Sequence, residues 1–368
     1  MIINMDTKSK ATVLTLDAGG TNFVFSAIRD FGEVAGPVRL DAVTDDINGC
    51  FDTLVEGFEA VRKQVGGKVD AISFAFPGPA DYIHGVIGDL PNFPCFKGGT
   101  PMGAFLEEKF GVPVFINNDG NLFAYGEAIA GALPAINADL EAAGSSKRYR
   151  NLLGVTLGTG FGGGVVIDGE LLRGDNGCGG DVWLMRNSLY PSKIAEESVS
   201  IRAIRRVYHE LCPEDGRDLS PKDIFDIAEG ALEGSATAAK ASFDALGIVA
   251  GEAIIHALDI IDGLVVIGGG LSGASKYIVP AIVETMRGVR RTFSGSVFPR
   301  LQSEVFDLTD PADKEIFLLD ESAEVEVPGS ARRVRYEKTR KTGVTVSALG
   351  TGRAVSLGAY AYALSALR

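Results

Sequence analysis

A short run of a carboxylate, two glycines and a hydroxyl, Asp17-Ala18-Gly19-Gly20-Thr21, has chemistry that suits a phosphate and a cation. Glycine has no Cβ, so backbone N–H groups in such a turn can approach an anion closely. A nearby carboxylate can hold a hydrated Mg²⁺ ion. The apolar run Leu14-Thr15-Leu16 precedes the turn and Phe23-Val24-Phe25 follows it. We therefore expect a strand, a tight turn and a second strand.

A second glycine turn follows about 140 residues later, Gly158-Thr159-Gly160-Phe161-Gly162-Gly163-Gly164. It lies between the apolar run 153–157 and the run Val165-Val166-Ile167, and a further turn is expected at Asp168-Gly169. The order of strand, glycine turn with a hydroxyl, and strand thus occurs twice. This repetition indicates an internal duplication, with a cleft between the halves in which the two turns could hold one polyphosphate.

The spacing of apolar residues predicts an α/β scaffold for these turns. The expected elements are a hairpin over 12–29, strands over 33–38, 71–76, 114–116 and 264–267, and helices over 48–65, 102–110, 277–287 and 354–367. The strand over 71–76 runs into Pro77-Gly78-Pro79, and the strand over 114–116 ends in Asn117-Asn118-Asp119. Because α/β folds gather ligand groups where strands end, these polar strand ends are candidate binding residues.

Composition excludes several kinds of chemistry. The formal charge of −13, from 35 basic and 48 acidic residues, would repel a nucleic acid, so none is expected as a partner. The four cysteines form no CxxC pair and the three histidines have no metal-ligand spacing, so catalysis should rest on carboxylates. Neither a secretory leader nor a run of about 18 apolar residues is visible, so we expect a cytoplasmic protein without a membrane partner.

The pattern GxGxxG occurs twice, over 158–163 and 268–273, and offers a dinucleotide-binding alternative. The first match runs into a strand, which removes the helix N-terminus that would bind pyrophosphate. The second match does join a strand to a helix, but no acidic residue follows about 20 positions later to bind a ribose. A nicotinamide or flavin enzyme is therefore disfavoured.

Six motifs occur in the order seen in ROK-family sugar kinases, and the chain resembles that family over nearly its whole length. They are Asp17-Ala18-Gly19-Gly20-Thr21, Phe76-Pro77-Gly78-Pro79, Pro91-Asn92, Asn118-Asp119-Gly120-Asn121, the run 157–164 and Ile267-Gly268-Gly269-Gly270-Leu271-Ser272. The resemblance implies two duplicated ribonuclease-H-like (actin-like ATPase) α/β domains, with mixed sheets flanked by helices and an interdomain cleft. The N-terminal domain would span 1–130, completed by the C-terminal helix 354–368, and the C-terminal domain 131–353.

The resemblance also implies a role for each motif. Asp119 would be the general base and Asp17 would hold Mg²⁺ through water. The phosphates of ATP would contact Gly19, Gly20, Thr21, Thr159 and Gly160, and the adenosine would lie on Gly268, Gly269, Gly270, Leu271 and Ser272. The sugar would contact Pro77, Gly78, Asn92, Asn118, Asp119, Asp181 and Glu196. The simpler alternatives are a helix cap at Asn118-Asp119 and plain hairpin turns at the glycines.

The sugar-recognition segment departs from the family pattern Gly-Glu-x-Gly-His. The corresponding residues are Gly177-Cys178-Gly179-Gly180-Asp181, so Cys178 replaces the glutamate and Asp181 the histidine. The family's cysteine-rich zinc motif is also missing around 190–196, so no structural zinc is expected. Its acid would be Glu196, or Glu197 if the alignment shifts by one, and a solvated acid at a helix start is the alternative.

These observations favour ATP-dependent phosphorylation of a hexose or hexose derivative, at the 6-hydroxyl of a glucose-like sugar. Fructose, N-acetylhexosamines and rarer hexoses are alternative acceptors, and a non-catalytic sugar-binding regulator of the same family is an alternative class. Such regulators carry a DNA-binding extension, which is not visible here. We expect a homodimer or homotetramer. The charges in the segment 301–343 predict a pair of solvated strands or an edge ribbon. A flap near the nucleotide or a subunit contact is the alternative.

Overall fold

The computed structural model describes residues 10–19, 21–90 and 93–368, which group into two compact units. The first unit contains the described residues of Met1–Gly131, together with Gly164–Gly180 and Leu349–Arg368; the second contains Ala132–Gly163 and Asp181–Ala348. The family resemblance implied that only the C-terminal helix returns to the first domain, whereas residues 164–180 return as well. Gly164 lets the chain run against the backbone of Gly120, where a Cβ would collide with the carbonyl oxygen.

The first unit is built on a five-stranded mixed sheet. Its strands are β1 (Val13–Ala18), β2 (Asn22–Arg29), β3 (Gly32–Asp41), β4 (Ala71–Ala75) and β7 (Val114–Asn117), and the short strands β5 (Ala80–Asp81) and β6 (Val86–Ile87) pair outside it. The order is β3-β2-β1-β4-β7; β1, β2 and β3 pair antiparallel, and β4 pairs parallel with both β1 and β7. Its helices are α1 (Ile47–Gln64), α2 (Met102–Phe110), α3 (Asp119–Ile129) and α10 (Thr351–Ala366). The predicted hairpin, strands and helices of this region are confirmed.

Apolar side chains on α1 and the first sheet form one core. Leu54, Phe58 and Val61 recur at helical spacing and are fully buried, and the ring of Phe58 packs edge-on against Phe25 at 5.0 Å between centroids. Asp46 caps the start of α1 by accepting from two backbone N–H groups. This core holds the end of β1 in place, because β1 is buried from Val13 to Leu16 and exposed only when it reaches Asp17.

Helices α3 and α10 pack backbone to backbone. A Cβ on Gly126 would collide with the carbonyl oxygen of Ala354, and a Cβ on Gly358 would collide with that of Leu122. Tyr360 of α10 is fully buried, and its hydroxyl accepts from the N–H of Asp30 at 2.9 Å. The C-terminal helix is therefore an integral part of the first unit.

A second mixed sheet repeats the order of the first. Its strands are β8 (Leu152–Leu157), β9 (Phe161–Ile167), β10 (Glu170–Leu171), β11 (Leu264–Gly268), β14 (Glu304–Asp307) and β17 (Lys341–Val346), in the order β10-β9-β8-β11-β17-β14. β8, β11, β17 and β14 run parallel. Since β10-β9-β8-β11-β17 matches β3-β2-β1-β4-β7, the predicted duplication is confirmed. The glycine turn is shorter than expected, Gly158 to Gly160, because β9 already begins at Phe161.

Six helices belong to the second unit. They are α4 (Ala132–Ala142), α5 (Ile201–Leu211), α6 (Pro221–Ala228), α7 (Ala236–Ile261), α8 (Ser275–Met286) and α9 (Pro311–Leu318). Short 3₁₀ turns lie at Val182–Leu184, Ala195–Glu197 and Gly270–Ala274. Helix α7 is the longest, and its buried face packs against α8 and α5. Across the described residues, no helix is both long and apolar enough to cross a membrane.

Two ribbons lie outside the main sheets: β12 (Val289–Arg291) with β13 (Val297–Pro299), and β15 (Ser322–Glu326) with β16 (Arg333–Glu337). The solvated ribbon expected in 301–343 is thus present as β15 and β16, whose acidic and basic residues pair across the strands, as Glu324 does with Arg335. The same expectation is wrong for β14, α9 and β17. Val305, Phe306 and Phe317 are buried there, and β14 and β17 complete the main sheet.

Candidate active site

Asp119 is the first residue of α3, and the two preceding asparagines fix the backbone before it. Asn118 caps the helix, its Oδ1 accepting from the N–H of Asn121 at 2.6 Å. The buried Asn117 accepts through Oδ1 from the N–H of Asn118 at 2.9 Å and from Nδ2 of Asn121 at 3.0 Å. The helix-cap alternative is therefore correct for the oxygen of Asn118. Within the described residues its NH₂ group makes no hydrogen bond, so it can donate to a ligand.

The carboxyl of Asp119 is accessible to solvent and nevertheless has protein on several sides. Desolvation is the largest influence and raises its pKa, and the negative charge of Asp17 raises it further. The N–H of Gly120, which donates to Oδ1 at 2.8 Å, opposes the shift. A general base needs access to its substrate and a pKa shifted toward neutral pH, and Asp119 has both properties.

Asp17 is the second-last residue of β1 and is exposed, and the turn after the strand is held by backbone hydrogen bonds. The N–H of Gly19 donates to the carbonyl of Asn22 at 3.0 Å, and the exposed Thr21 keeps its hydroxyl at the surface. Gly20 lies outside the described residues. A Cβ on Gly352, at the start of α10, would lie 3.7 Å from Oδ2 of Asp17, so this helix begins next to the carboxylate.

The residues present are compatible with Mg²⁺, although the described part of the chain contains no group of three or more His, Cys, Asp or Glu that could hold a metal. Mg²⁺ in phosphate-transfer sites is commonly bound by one or two carboxylates, with water and substrate phosphates completing the octahedron. Asp17 is exposed beside a glycine turn and is close enough to Asp119 to influence its pKa. One such carboxylate is sufficient for this mode of binding.

The loop with Pro77 and Gly78 is tied to the Asp119 turn. The N–H of Phe76 donates to the carbonyl of Asn117 at 3.0 Å. The hydroxyl of Tyr82 donates to the carbonyl of Phe76 at 3.0 Å, and a Cβ on Gly78 would lie 3.0 Å from that hydroxyl. The first unit therefore brings two of the predicted sugar-binding segments together. Asn92, the third, lies outside the described residues.

The second glycine turn exposes Thr159 and is bounded by Glu196. The N–H of Phe161 donates to Oε2 of Glu196 at 3.0 Å, and a Cβ on Gly160 would collide with the same oxygen. Glu196 is three-quarters buried, so the alternative of a solvated acid is wrong for it and right for the more exposed Glu197. The contact with the turn was not predicted, because no spacing rule links residues 35 positions apart.

The run Gly268 to Ser272 lies beside that turn. A Cβ on Gly158 would lie 3.9 Å from the N atom of Gly270, and Gly269 has φ +88° and packs on the backbone of Leu157, where a Cβ would collide. Ser272 donates to the carbonyl of Gly269 through its hydroxyl at 2.7 Å. The second unit thus brings together the segments predicted to bind phosphate and adenosine.

The two residues that replace the family's glutamate and histidine differ in environment. Cys178 is exposed, and its Sγ donates to the carbonyl of Asn176 at 3.4 Å. Asp181 is half-buried at the start of the 3₁₀ turn Val182–Leu184, where desolvation raises the pKa of its carboxyl and the side chain of Trp183 opposes the shift. Asp181 therefore has the properties of a binding residue, whereas Cys178 presents a weak hydrogen-bonding group.

Sequence reasoning named Asn117 and Asn121 within motifs but assigned neither of them a role in positioning Asp119. Both are buried, and within the described residues Oδ1 of Asn121 has no hydrogen-bond partner. No helical spacing predicts their contact, because Asn117 ends β7 whereas Asn121 lies in the first turn of α3.

The chain is similar to known proteins over much of its length. A crystal structure of a glucokinase from Parabacteroides distasonis superposes with a TM-score of 0.89 at 55% identity, covering 98% of this chain and 99% of that one. A glucokinase from Thermotoga maritima is 29% identical over 308 residues, 75% of this chain and 91% of its own length. An N-acetyl-D-glucosamine kinase from Vibrio cholerae is 32% identical over 170 residues, 46% of this chain and 51% of that protein.

The family comparison covers most of the chain. The sequence model described as the ROK family matches residues 13–303, which include all six motifs and every predicted site residue. The resemblance read from the motifs is thereby confirmed, and the chain belongs to the ROK family.

Proposed function

We propose that this ATP-dependent sugar kinase transfers the γ-phosphate of ATP to the 6-hydroxyl of a glucose-like hexose, with Asp119 as the general base. The observation that carries the proposal is the carboxyl of Asp119, which is accessible at a strand end, framed by asparagines and raised in pKa. The family and its glucokinase relatives support the kinase activity itself.

Asp119 would accept the proton of the sugar hydroxyl as that oxygen attacks the γ-phosphate. Phosphoryl transfer has a loose transition state, so the protein contributes mainly by positioning the reactants and stabilising charge. The hydrogen bond from Gly120 fixes one carboxylate oxygen and leaves the other for the hydroxyl. Asn118 would donate to a neighbouring hydroxyl, and Pro77, Gly78 and Asp181 would bound the sugar.

The glycine turns would bind ATP. Gly19 and Thr21 would contact the phosphates from the first unit, and Thr159 and Gly160 from the second. The run Gly268 to Ser272 would receive the adenosine, because its glycines let a ligand approach the backbone. Asp17 would hold Mg²⁺, which when bound neutralises charge on the β- and γ-phosphates.

Glucose is the proposed acceptor because the Parabacteroides distasonis glucokinase is 55% identical over nearly the whole of both chains. N-acetylglucosamine is the second candidate, supported by the Vibrio cholerae kinase over about half of each chain. The replacements at Cys178 and Asp181 remove the family's usual sugar contacts, so other hexoses belong in the same test. A homodimer or homotetramer, a cytoplasmic location and the lack of a structural zinc stay predictions.

The test is an ADP-release assay with magnesium-ATP and a panel of free sugars: glucose, N-acetylglucosamine, N-acetylmannosamine, mannose and fructose. We expect the largest kcat/KM with glucose and a 6-phosphate product by NMR. A higher kcat/KM for an N-acetylhexosamine would reassign the acceptor. ADP release that does not depend on any sugar would contradict the proposed transfer.

Replacing Asp119 with Asn tests the base. Loss of a general base costs about 10²–10⁴-fold in rate, so kcat should fall by at least that range while the affinity for ATP changes little. Asn keeps the acceptor for the N–H of Gly120 and therefore the local fold. Asp89→Asn changes an exposed-loop carboxylate whose Oδ1 accepts from the N–H of Gly98; it is the control and should retain full activity. Near-normal turnover of the Asp119 variant would refute the assignment.

A further inference from the structure

The second glycine turn has a support that its sequence does not reveal. The segment that begins with Glu196 runs along the turn and contacts it twice. Oε2 of Glu196 accepts from the N–H of Phe161 at 3.0 Å, and the N–H of Ile201 donates to the carbonyl of Gly158 at 2.9 Å. Both ends of the turn are therefore hydrogen-bonded to the same segment, residues 196–201.

This support leaves particular donors free. The turn closes on itself through the N–H of Gly158, which donates to the carbonyl of Gly160 at 3.0 Å. Among the residues that the structure describes, the N–H groups of Thr159 and Gly160 make no hydrogen bond. Successive free N–H groups in a glycine turn form an anion-binding concavity. Glu196 thus takes the donor at the edge of the turn and leaves the two central donors for a ligand.

Glycine at position 160 fits the same arrangement. A Cβ there would collide with Oε2 of Glu196, so the carboxylate occupies the space that a side chain would need. A carboxylate so close to a phosphate site would repel the ligand unless its charge were compensated. Nη2 of Arg202 lies 3.7 Å from Oε1 of Glu196 and supplies that compensation.

We propose that Glu196 is a positioning residue for nucleotide binding, which holds the turn Gly158 to Gly160 in the conformation that receives phosphate. This inference rests on the proposed function insofar as that turn binds ATP. It differs from the sugar-contact role that the family resemblance implied for Glu196. The two roles predict different kinetic effects, because one changes the affinity for nucleotide and the other the affinity for sugar.

Four variants test the inference. Glu196→Ala removes the acceptor for Phe161, Glu196→Gln keeps an acceptor without the charge, and Glu197→Ala is the matched control. Glu197 is the exposed neighbour, 3.7 Å from the same arginine, and has no bond to the turn. Glu196→Met preserves side-chain volume without an acceptor and replaces the Ala variant if that one does not fold. Thermal unfolding checks each variant before binding is measured.

Calorimetric titration with magnesium and a non-hydrolysable ATP analogue, without sugar, is the primary measurement. Loss of a hydrogen bond to a charged group corresponds to roughly ten- to a hundredfold in affinity. We expect Glu196→Ala to weaken nucleotide binding and raise the KM for ATP by about tenfold or more, with the KM for glucose within about twofold. Glu196→Gln should restore most of the affinity, and Glu197→Ala should match the wild type.

Two results would overturn the inference: unchanged nucleotide affinity in Glu196→Ala, or a raised sugar KM in both Glu196 variants with the ATP KM unaffected. The second result would assign Glu196 to the sugar. Because the titration contains no sugar, it is independent of Asp119 and of the acceptor. Failure of the wild type to bind the analogue would instead refute the proposed ATP site.

Discussion

At the scale of single residues, Asp119 shows how a site residue can oppose stability. Its carboxyl lies in surroundings that favour the neutral form and raise its pKa, mainly through desolvation. The two preceding asparagines, Asn117 and Asn118, hold it there by accepting hydrogen bonds from Asn121 in the first turn of α3. Functional sites commonly contain groups that are held in unfavourable surroundings by the rest of the fold.

A stability measurement against pH follows from this environment. The folded protein binds the proton of Asp119 more tightly than the unfolded chain does, because the pKa is raised on folding. The contribution of Asp119 to the free energy of unfolding is therefore largest at low pH. It is lost as the pH rises from the ordinary pKa of an aspartate through the raised pKa of Asp119. Asp119→Asn should raise Tm at pH 7 relative to the wild type, and the difference should shrink toward pH 4. A lower Tm for the variant at pH 7 would contradict this account.

At the scale of elements, the contact between α3 and α10 depends on glycines at the crossing. Gly126 and Gly358 each lie against a carbonyl of the partner helix, so the two backbones meet without side chains between them. Helix propensity alone would disfavour glycine there by about 0.5–1 kcal/mol. Close packing therefore outweighs local preference in this pair of helices.

Gly126→Ala tests that balance. The new methyl group would collide with the carbonyl of Ala354, and overpacking of this kind costs about 1–3 kcal/mol, more than the gain in helix propensity. We expect a lower free energy of unfolding by denaturant titration. Gly352→Ala on α10 is the matched control, since its Cβ would meet only an ordinary contact at 3.7 Å. Equal stability of the two variants would contradict the packing argument.

At the scale of the whole molecule, neither unit is a continuous piece of chain. The first unit takes residues from three parts of the sequence, and the last part supplies α10. Leu357, Tyr360 and Leu364 of that helix form a buried cluster with Val13, Ile28 and Ala71 from the first sheet. The core beside the first sheet therefore includes side chains that lie more than 200 positions later in the sequence.

Truncation tests this dependence. Ending the chain after Ala348 removes α10, and each large apolar side chain lost from a core costs about 1.5–3 kcal/mol, against a total stability of about 5–15 kcal/mol. We expect loss of cooperative thermal unfolding by circular dichroism, or an insoluble protein. Ending the chain after Ser365 removes only exposed residues and should preserve the transition. A wild-type unfolding transition in the protein that ends after Ala348 would show that α10 is dispensable.

Local chemistry explains how much of this protein can be predicted from its sequence. Apolar spacing and glycine turns are properties of short segments, so the hairpin at β1 and β2, the repeat at β8 and β9 and the strand end at Asp119 were predicted. Within 301–343 the same reasoning failed for β14 and β17. These strands are short and lie among charged residues, and they are buried because they pair within the main sheet.

The sequence by itself determined the family and the α/β class, and it selected the candidate site residues, because motifs keep their order and spacing along the chain. Only the tertiary structure decided that residues 164–180 join the first unit, that Asn117 and Asn121 frame Asp119, and that Glu196 bonds to the turn of Gly160. These contacts join residues that no local pattern relates. They form because the folded backbone brings donors, acceptors and missing Cβ atoms to the same place.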